Sequence, residues 1–148
     1  MQTFMPEDTF TASAHALDHR RLGKQRVEAK QIYLALTNPD YGWQNHPAVL
    51  MWRGHEGALL MYGHAMSLEW AHRGYKDNLM PFFEEEMGNY STFPYPPWMC
   101  DQRLHNSHRS NLLRKDPEWY SQYQWDVPHD LIYFWPTKEE DYAHVYAA

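Results

Sequence analysis

The chain has 148 residues, 43% hydrophobic and 16% aromatic, with 13 lysines and arginines against 19 aspartates and glutamates and a net charge of −6. That length fits one domain over 1–148 with a proper core, and so many aromatic residues argue against disorder. No run of about eighteen apolar residues occurs, so a membrane-spanning helix is excluded; no basic-then-apolar leader opens the chain; and one cysteine, Cys100, leaves no intramolecular disulfide and suits a cytoplasmic protein.

In chain order, Gln2-Thr3-Phe4-Met5 reads as extended up to Pro6, with Gln2-Thr3 a flexible arm. Asp8 or Thr9 can cap a short helix over Phe10 to Leu17, which Gly23 ends or bends before the next helix. From about Leu22, the series Leu22, Gln25, Ala29, Ile32 and Leu36 follows helical spacing, with Val27 and Leu34 widening the stripe. Asn38-Pro39-Asp40-Tyr41-Gly42 has the chemistry of a turn, and His46-Pro47 opens a new helical stretch. Leu59, Tyr62, Met66 and Trp70 give the strongest periodicity, in a helix from Glu56 to about His72 closed by Gly74. Arg53-Gly54 separates the two pieces.

Asn78 to Met87 can be a helix despite Pro81, and Phe93-Pro94-Tyr95-Pro96-Pro97-Trp98 reads as an ordered aromatic loop. Asp101 or Ser107 begins a helix carrying Leu104, His108 and Leu112, and Asp116-Pro117 caps a shorter one through Tyr123. Residues 127–136 look extended and are bounded by prolines. The expected fold is mainly α: a compact single-domain helical fold with a long aromatic and proline-rich C-terminal segment.

Two clusters can carry chemistry. In the first, Arg20, Arg21, Lys24, Arg26 and Lys30 surround one carboxylate, Glu28, and Arg21, Gln25 and Glu28 share a helix face at i, i+4, i+7. An anionic substrate and a general acid/base need such a set, although a solvated amphipathic helix presents the same pattern. The second runs from Leu104 to Pro117, where His108 offers a proton and Arg109 a phosphate fork. Its bland alternative is a core histidine with Arg114 and Lys115 complementing the helix dipole. The pairs His15/His19 and His105/His108 have ligand-like spacing, but no closed metal-ligand signature is present, so no metal and no cofactor are expected. An overall acidic chain would slow its encounter with DNA, which leaves a local basic groove as the electrostatic route.

Leu17-Asp18-x-x-Arg21-Leu22-Gly23-Lys24-Gln25-Arg26-Val27-Glu28, Tyr41-Gly42-Trp43-x-x-His46-Pro47-Ala48, Met51-Trp52-Arg53-Gly54 and Ser107-His108-Arg109-Ser110-Asn111-Leu112-x-Arg114-Lys115-Asp116-Pro117-x-x-Tyr120 resemble small bacterial and phage proteins of the pyrimidine-dimer DNA glycosylase, or endonuclease V-like, family. The resemblance implies a DNA-repair enzyme that flips a damaged nucleotide, attacks the sugar with an N-terminal amine and cleaves the backbone. Two positions depart from it. Gln2 stands where the family exposes a threonine amine, and is large enough to block removal of the preceding methionine; the family's catalytic glutamate falls on Gly23, leaving Glu28 as the candidate.

The expected site therefore has Glu28 as general acid/base or stabiliser of the sugar cation and His108 completing the catalytic pair. Arg21, Lys24, Arg26 and Arg109 bind phosphate, Gln25, His46 and Arg53 join the binding set, and Trp43 and Trp52 stack on a base. Glu28 and the His108-Arg109 pair are expected to line one pocket. The partner is DNA or a nucleotide. The alternatives are a non-catalytic binding protein for a small anionic or nucleotide ligand, and a histidine-metal hydrolase.

Overall fold

The computed structural model describes residues 1–138 and 141, and among these every regular element is helical. The α-helices are α1 (Phe10–Ala16), α2 (His19–Thr37), α3 (Pro47–Leu50), α4 (Glu56–His72), α5 (Met80–Met87), α6 (Gln102–Lys115) and α7 (Pro117–Tyr120). Short 3-10 turns cover Pro97–Cys100 and Ser121–Tyr123. Local chemistry sets most of the starts. Thr9, Asp18, His46, Asp101 and Asp116 each accept an N–H of the first turn that follows, satisfying a donor the helix cannot. Pro81 falls in the first turn of α5, where its missing N–H costs nothing.

Helix α4 is the centre: it packs chiefly on α2, with α1 and α5 also against it. Leu22, Ala29 and Ile32 of α2 and Leu59, Tyr62 and Met66 of α4 are buried together with Trp52, Trp98, Leu104 and Leu112. Each large apolar side chain in that set contributes about 1.5–3 kcal/mol by leaving water.

Gly23 neither ends nor bends a helix. It lies inside α2, where a Cβ would come 2.8 Å from Trp70 Cη2, so the glycine lets α4 approach. The organising helix consequently starts at His19, three residues before the apolar stripe.

Helix α6 is polar for a reason its sequence does not announce. Ser107 Oγ accepts the Phe134 N–H at 3.1 Å, Ser110 Oγ accepts the Leu131 N–H at 3.0 Å, and Asn111 Nδ2 donates to Leu131 O at 3.1 Å. These side chains take the place of a neighbouring strand and satisfy the backbone of the extended C-terminal segment, as buried amides and carbonyls require.

Candidate active site

Residues 2–5 are not a flexible arm. They run buried through the molecule, and each amide meets a side-chain acceptor. Gln2 N–H donates to Glu28 Oε2 at 3.1 Å, Thr3 N–H to Gln2 Oε1 at 2.8 Å, Phe4 N–H to Gln25 Oε1 at 2.6 Å, and Met5 N–H to His108 Nδ1 at 2.8 Å. On the other side, Trp52 Nε1 donates to Thr3 Oγ1 at 3.0 Å and the Tyr62 hydroxyl lies 2.9 Å from Phe4 O and 2.7 Å from Gln25 Oε1. An isolated extended segment has no strand partner, so these contacts fix its position and register.

Glu28 is 7% exposed and sits where the arm meets α2. Its Oε2 also accepts from Gln25 Nε2 at 2.9 Å, which fixes the Gln25 amide with its carbonyl toward Phe4. Its Oε1 has Lys24 Nζ at 3.7 Å. Above it opens a cleft of about 450 Å³, in the range of small-ligand sites, lined by Met1, Gln2, Phe4, Gln25, Glu28 and Tyr133 with Arg20, Arg21, Lys24, Lys115 and Asp116. Arg20 and Lys115 are exposed and make no ion pair among the described residues. Arg21 pairs with Asp18 at 3.2 Å. Burial alone would raise the Asp18 carboxyl, but the Tyr120 hydroxyl and Arg21 together hold it below its ordinary value. That contact ties the start of α2 to the Asp-Pro-x-x-Tyr ending of α7.

His46 faces the same region. Burial, then the positive charge at Met1, lower its pKa, while Glu28 opposes them. Its Nδ1 accepts the Ala48 N–H at 3.0 Å, so the neutral ring carries its proton on Nε2. Trp43 packs edge-on to His46 at 5.9 Å, and Trp135 contacts the His46 ring at 6.0 Å.

The remaining sequence candidates lie elsewhere. His108 and Arg109 do not line the cleft; they stand behind Phe4, whose ring meets His108 at 5.8 Å. Arg109 donates to Pro6 O at 2.6 Å and to Glu7 at 3.0 Å, fastening the end of the arm. Arg26 is bonded to Asp77 at 2.6 Å and lies over the Trp70 ring at 4.7 Å, between α2 and α4. Trp52 is fully buried. Arg53 is exposed and reaches Gln44 O at 3.3 Å, bracing the loop that carries Trp43. Among the described residues no group of histidine, cysteine and carboxylate side chains is arranged to hold a metal.

Arg20 lines the cleft with the cluster around Glu28, Lys115 and Asp116 come to it from the second cluster, and Tyr133 is the lining residue outside both clusters. Lys115 and Asp116 close α6 and begin α7, and only the crossing of those elements over the start of α2 brings them to the cleft. His105 is a further hidden feature: Nδ1 lies 2.7 Å from Met5 O and Nε2 2.9 Å from Met99 O.

His108 carries a pH consequence. Complete burial, then the charge of His105, push it down to about 3, so it stays neutral and keeps accepting the Met5 N–H. The unfolded chain binds this proton near the ordinary value while the folded chain does not. Stability is therefore whole above about pH 6.5 and falls as the pH drops, by about 1.4 kcal/mol per unit. Urea unfolding at pH 7 and pH 5 should show about 2 kcal/mol more acid loss in the native protein than in His108→Gln, whose amide oxygen can accept the same N–H. Equal losses would contradict this role.

A model of the family described as pyrimidine dimer DNA glycosylase matches residues 1–81. No curated protein and no solved structure matches the chain. The matched stretch is more than half of the 148 residues and includes the arm, Glu28, His46 and the α2–α4 pair that position the cleft. The chain belongs to the pyrimidine dimer DNA glycosylase family.

Proposed function

We propose that this protein is a DNA glycosylase that takes a damaged pyrimidine nucleotide into the cleft over Glu28 and hydrolyses its N-glycosidic bond. The observation that carries this reading is a buried carboxylate at the floor of a cationic cleft, with one oxygen held by Gln2 and Gln25 and the other turned to Lys24. As the C1′–N bond breaks, the base leaves with the electron pair and positive charge develops on the sugar. Glu28 faces that charge from a fixed position with little water, where a carboxylate stabilises it most. Water then adds to C1′, and its proton passes to Glu28 Oε1. The departing base takes its proton from solvent.

The nitrogen on Glu28 is the peptide N–H of Gln2, because Met1 precedes it; a peptide nitrogen donates a hydrogen bond but does not attack carbon. The reading therefore dispenses with an imine. A duplex carrying one pyrimidine dimer, treated with borohydride, should accumulate abasic sites with little protein–DNA crosslink, and acetylating the N-terminus should leave base release intact. Efficient crosslinking that acetylation abolishes would replace water by the amine at Met1.

Arg20, Arg21, Lys24 and Lys115 supply the phosphate contacts. Four such contacts imply a slope of about −3 to −4 for log affinity against log salt on duplex DNA. A fluorescence-anisotropy titration checks this. An affinity that does not change with salt would favour a small nucleotide held without turnover.

A further inference from the structure

Of the seven tryptophans, Trp43 alone is exposed, at 60%, and its backbone has φ +69, in the left-handed region that bulky residues rarely adopt. The loop around it is firmly braced. Gln44 Nε2 donates to Asn38 O at 3.0 Å and to Tyr41 O at 2.8 Å, Trp43 O accepts the His46 N–H at 3.1 Å, and Arg53 holds Gln44 O at 3.3 Å. A strained backbone persists only where its surroundings over-determine it, and here the result is an indole held out into solvent. Trp52 and Trp98, both fully buried, show that this chain can bury such rings.

The position of that indole is the second observation. It stands on His46, which senses both Glu28 and the charge at Met1. His46 in turn touches Trp135, and Trp135 lies 5.6 Å from Tyr133 in the cleft lining. The exposed ring is thus linked to the cleft lining through His46, Trp135 and Tyr133 without itself lining the cleft.

Resting on the glycosylase reading above, we infer that Trp43 is a wedge: it inserts into the base stack at the place a flipped nucleotide vacates and holds the duplex open. Apolar side chains that enter a base step unstack it and kink the duplex, and an aromatic face replaces the lost stacking for any neighbouring base. A wedge must project rigidly, stand beside the receiving cleft and be free of protein contacts on its working faces. Trp43 has the braced loop, the exposure and a continuous chain of ring contacts to the cleft lining.

The wedge is needed only where a stack must be opened. Trp43→Ala should slow abasic-site formation in a dimer-bearing duplex about ten- to hundredfold, and slow it much less in the same strand without its complement. Trp43→Phe should recover part of the duplex rate. A second readout needs no turnover: 2-aminopurine next to the dimer should brighten on binding native protein and much less on binding Trp43→Ala. Equal duplex rates and equal brightening in both proteins would overturn the wedge, as would a loss of equal size on duplex and single strand. If the native protein forms no abasic site in either substrate, the glycosylase reading fails. The fluorescence then decides the wedge alone.

Discussion

Glu28→Gln is expected to reduce single-turnover abasic-site formation in a dimer-bearing duplex by about 10²–10⁴-fold, the range for losing an acid/base group, while DNA affinity stays within about threefold. The change keeps side-chain volume, and the amide oxygen can still accept from Gln2 and Gln25, so the arm and α2 remain in register. What disappears is the negative charge facing the sugar. Lys24 loses its ion-pair partner and its cation is freed for phosphate, which is why binding should not weaken. Anisotropy and quenched-flow counting of abasic sites on one protein preparation separate the two effects. A variant that retains activity within about threefold would move the chemistry away from this carboxylate.

Gly63→Ala should have the largest effect on stability of the seven glycine-to-alanine changes. A Cβ there would stand 2.3 Å from Phe83 Cε1 and 2.4 Å from its Cζ. Phe83 is fully buried on α5 and packs edge-on against Phe82 at 5.5 Å, so its ring has no vacant direction. Overpacking of this kind costs about 1–3 kcal/mol and sometimes more. At about 2–4 °C per kcal/mol for a chain of this size, the midpoint should fall by roughly 5–10 °C. Differential scanning calorimetry checks it. An unchanged midpoint would mean that α4 and α5 can separate freely, contrary to the packing described. Gly23→Ala should cost less, because the atom it meets is the far end of the Trp70 side chain, although Tyr75 stacked on that indole at 4.2 Å limits how far it can yield.

The helical architecture was legible because its signals are local. Caps such as Asp18, Asp101 and Asp116 and the Leu59–Tyr62–Met66–Trp70 period need only neighbouring residues to be read. Gly23 misled for the same reason: a glycine in a helix looks like a break until the indole opposite it is known. In the candidate site, Arg21, Gln25 and Glu28 share a face that helical spacing alone predicts, and the structure places them in one cleft. Sequence spacing could not say that Arg26, one residue on from Gln25, turns to Asp77 instead. Nor could it separate His108 from Glu28. Both are polar residues on apolar helices, yet one is bonded to the head of the arm and opens on the cleft, while the other supports the arm from behind. The arm itself was the least legible part. Four residues with no pattern of their own acquire a position only through Glu28, Gln25, Tyr62, Trp52 and His108, which are scattered over more than eighty residues of chain.

The most direct measurement is a count of abasic sites formed in a duplex bearing one pyrimidine dimer, with protein in excess over DNA. Our account predicts that abasic sites approach one per dimer, that the undamaged duplex of the same sequence yields none, and that the strand stays unbroken until alkali is added. A protein that binds the damaged duplex with the expected salt dependence and forms no abasic site would contradict the account and leave the cleft as a binding site alone.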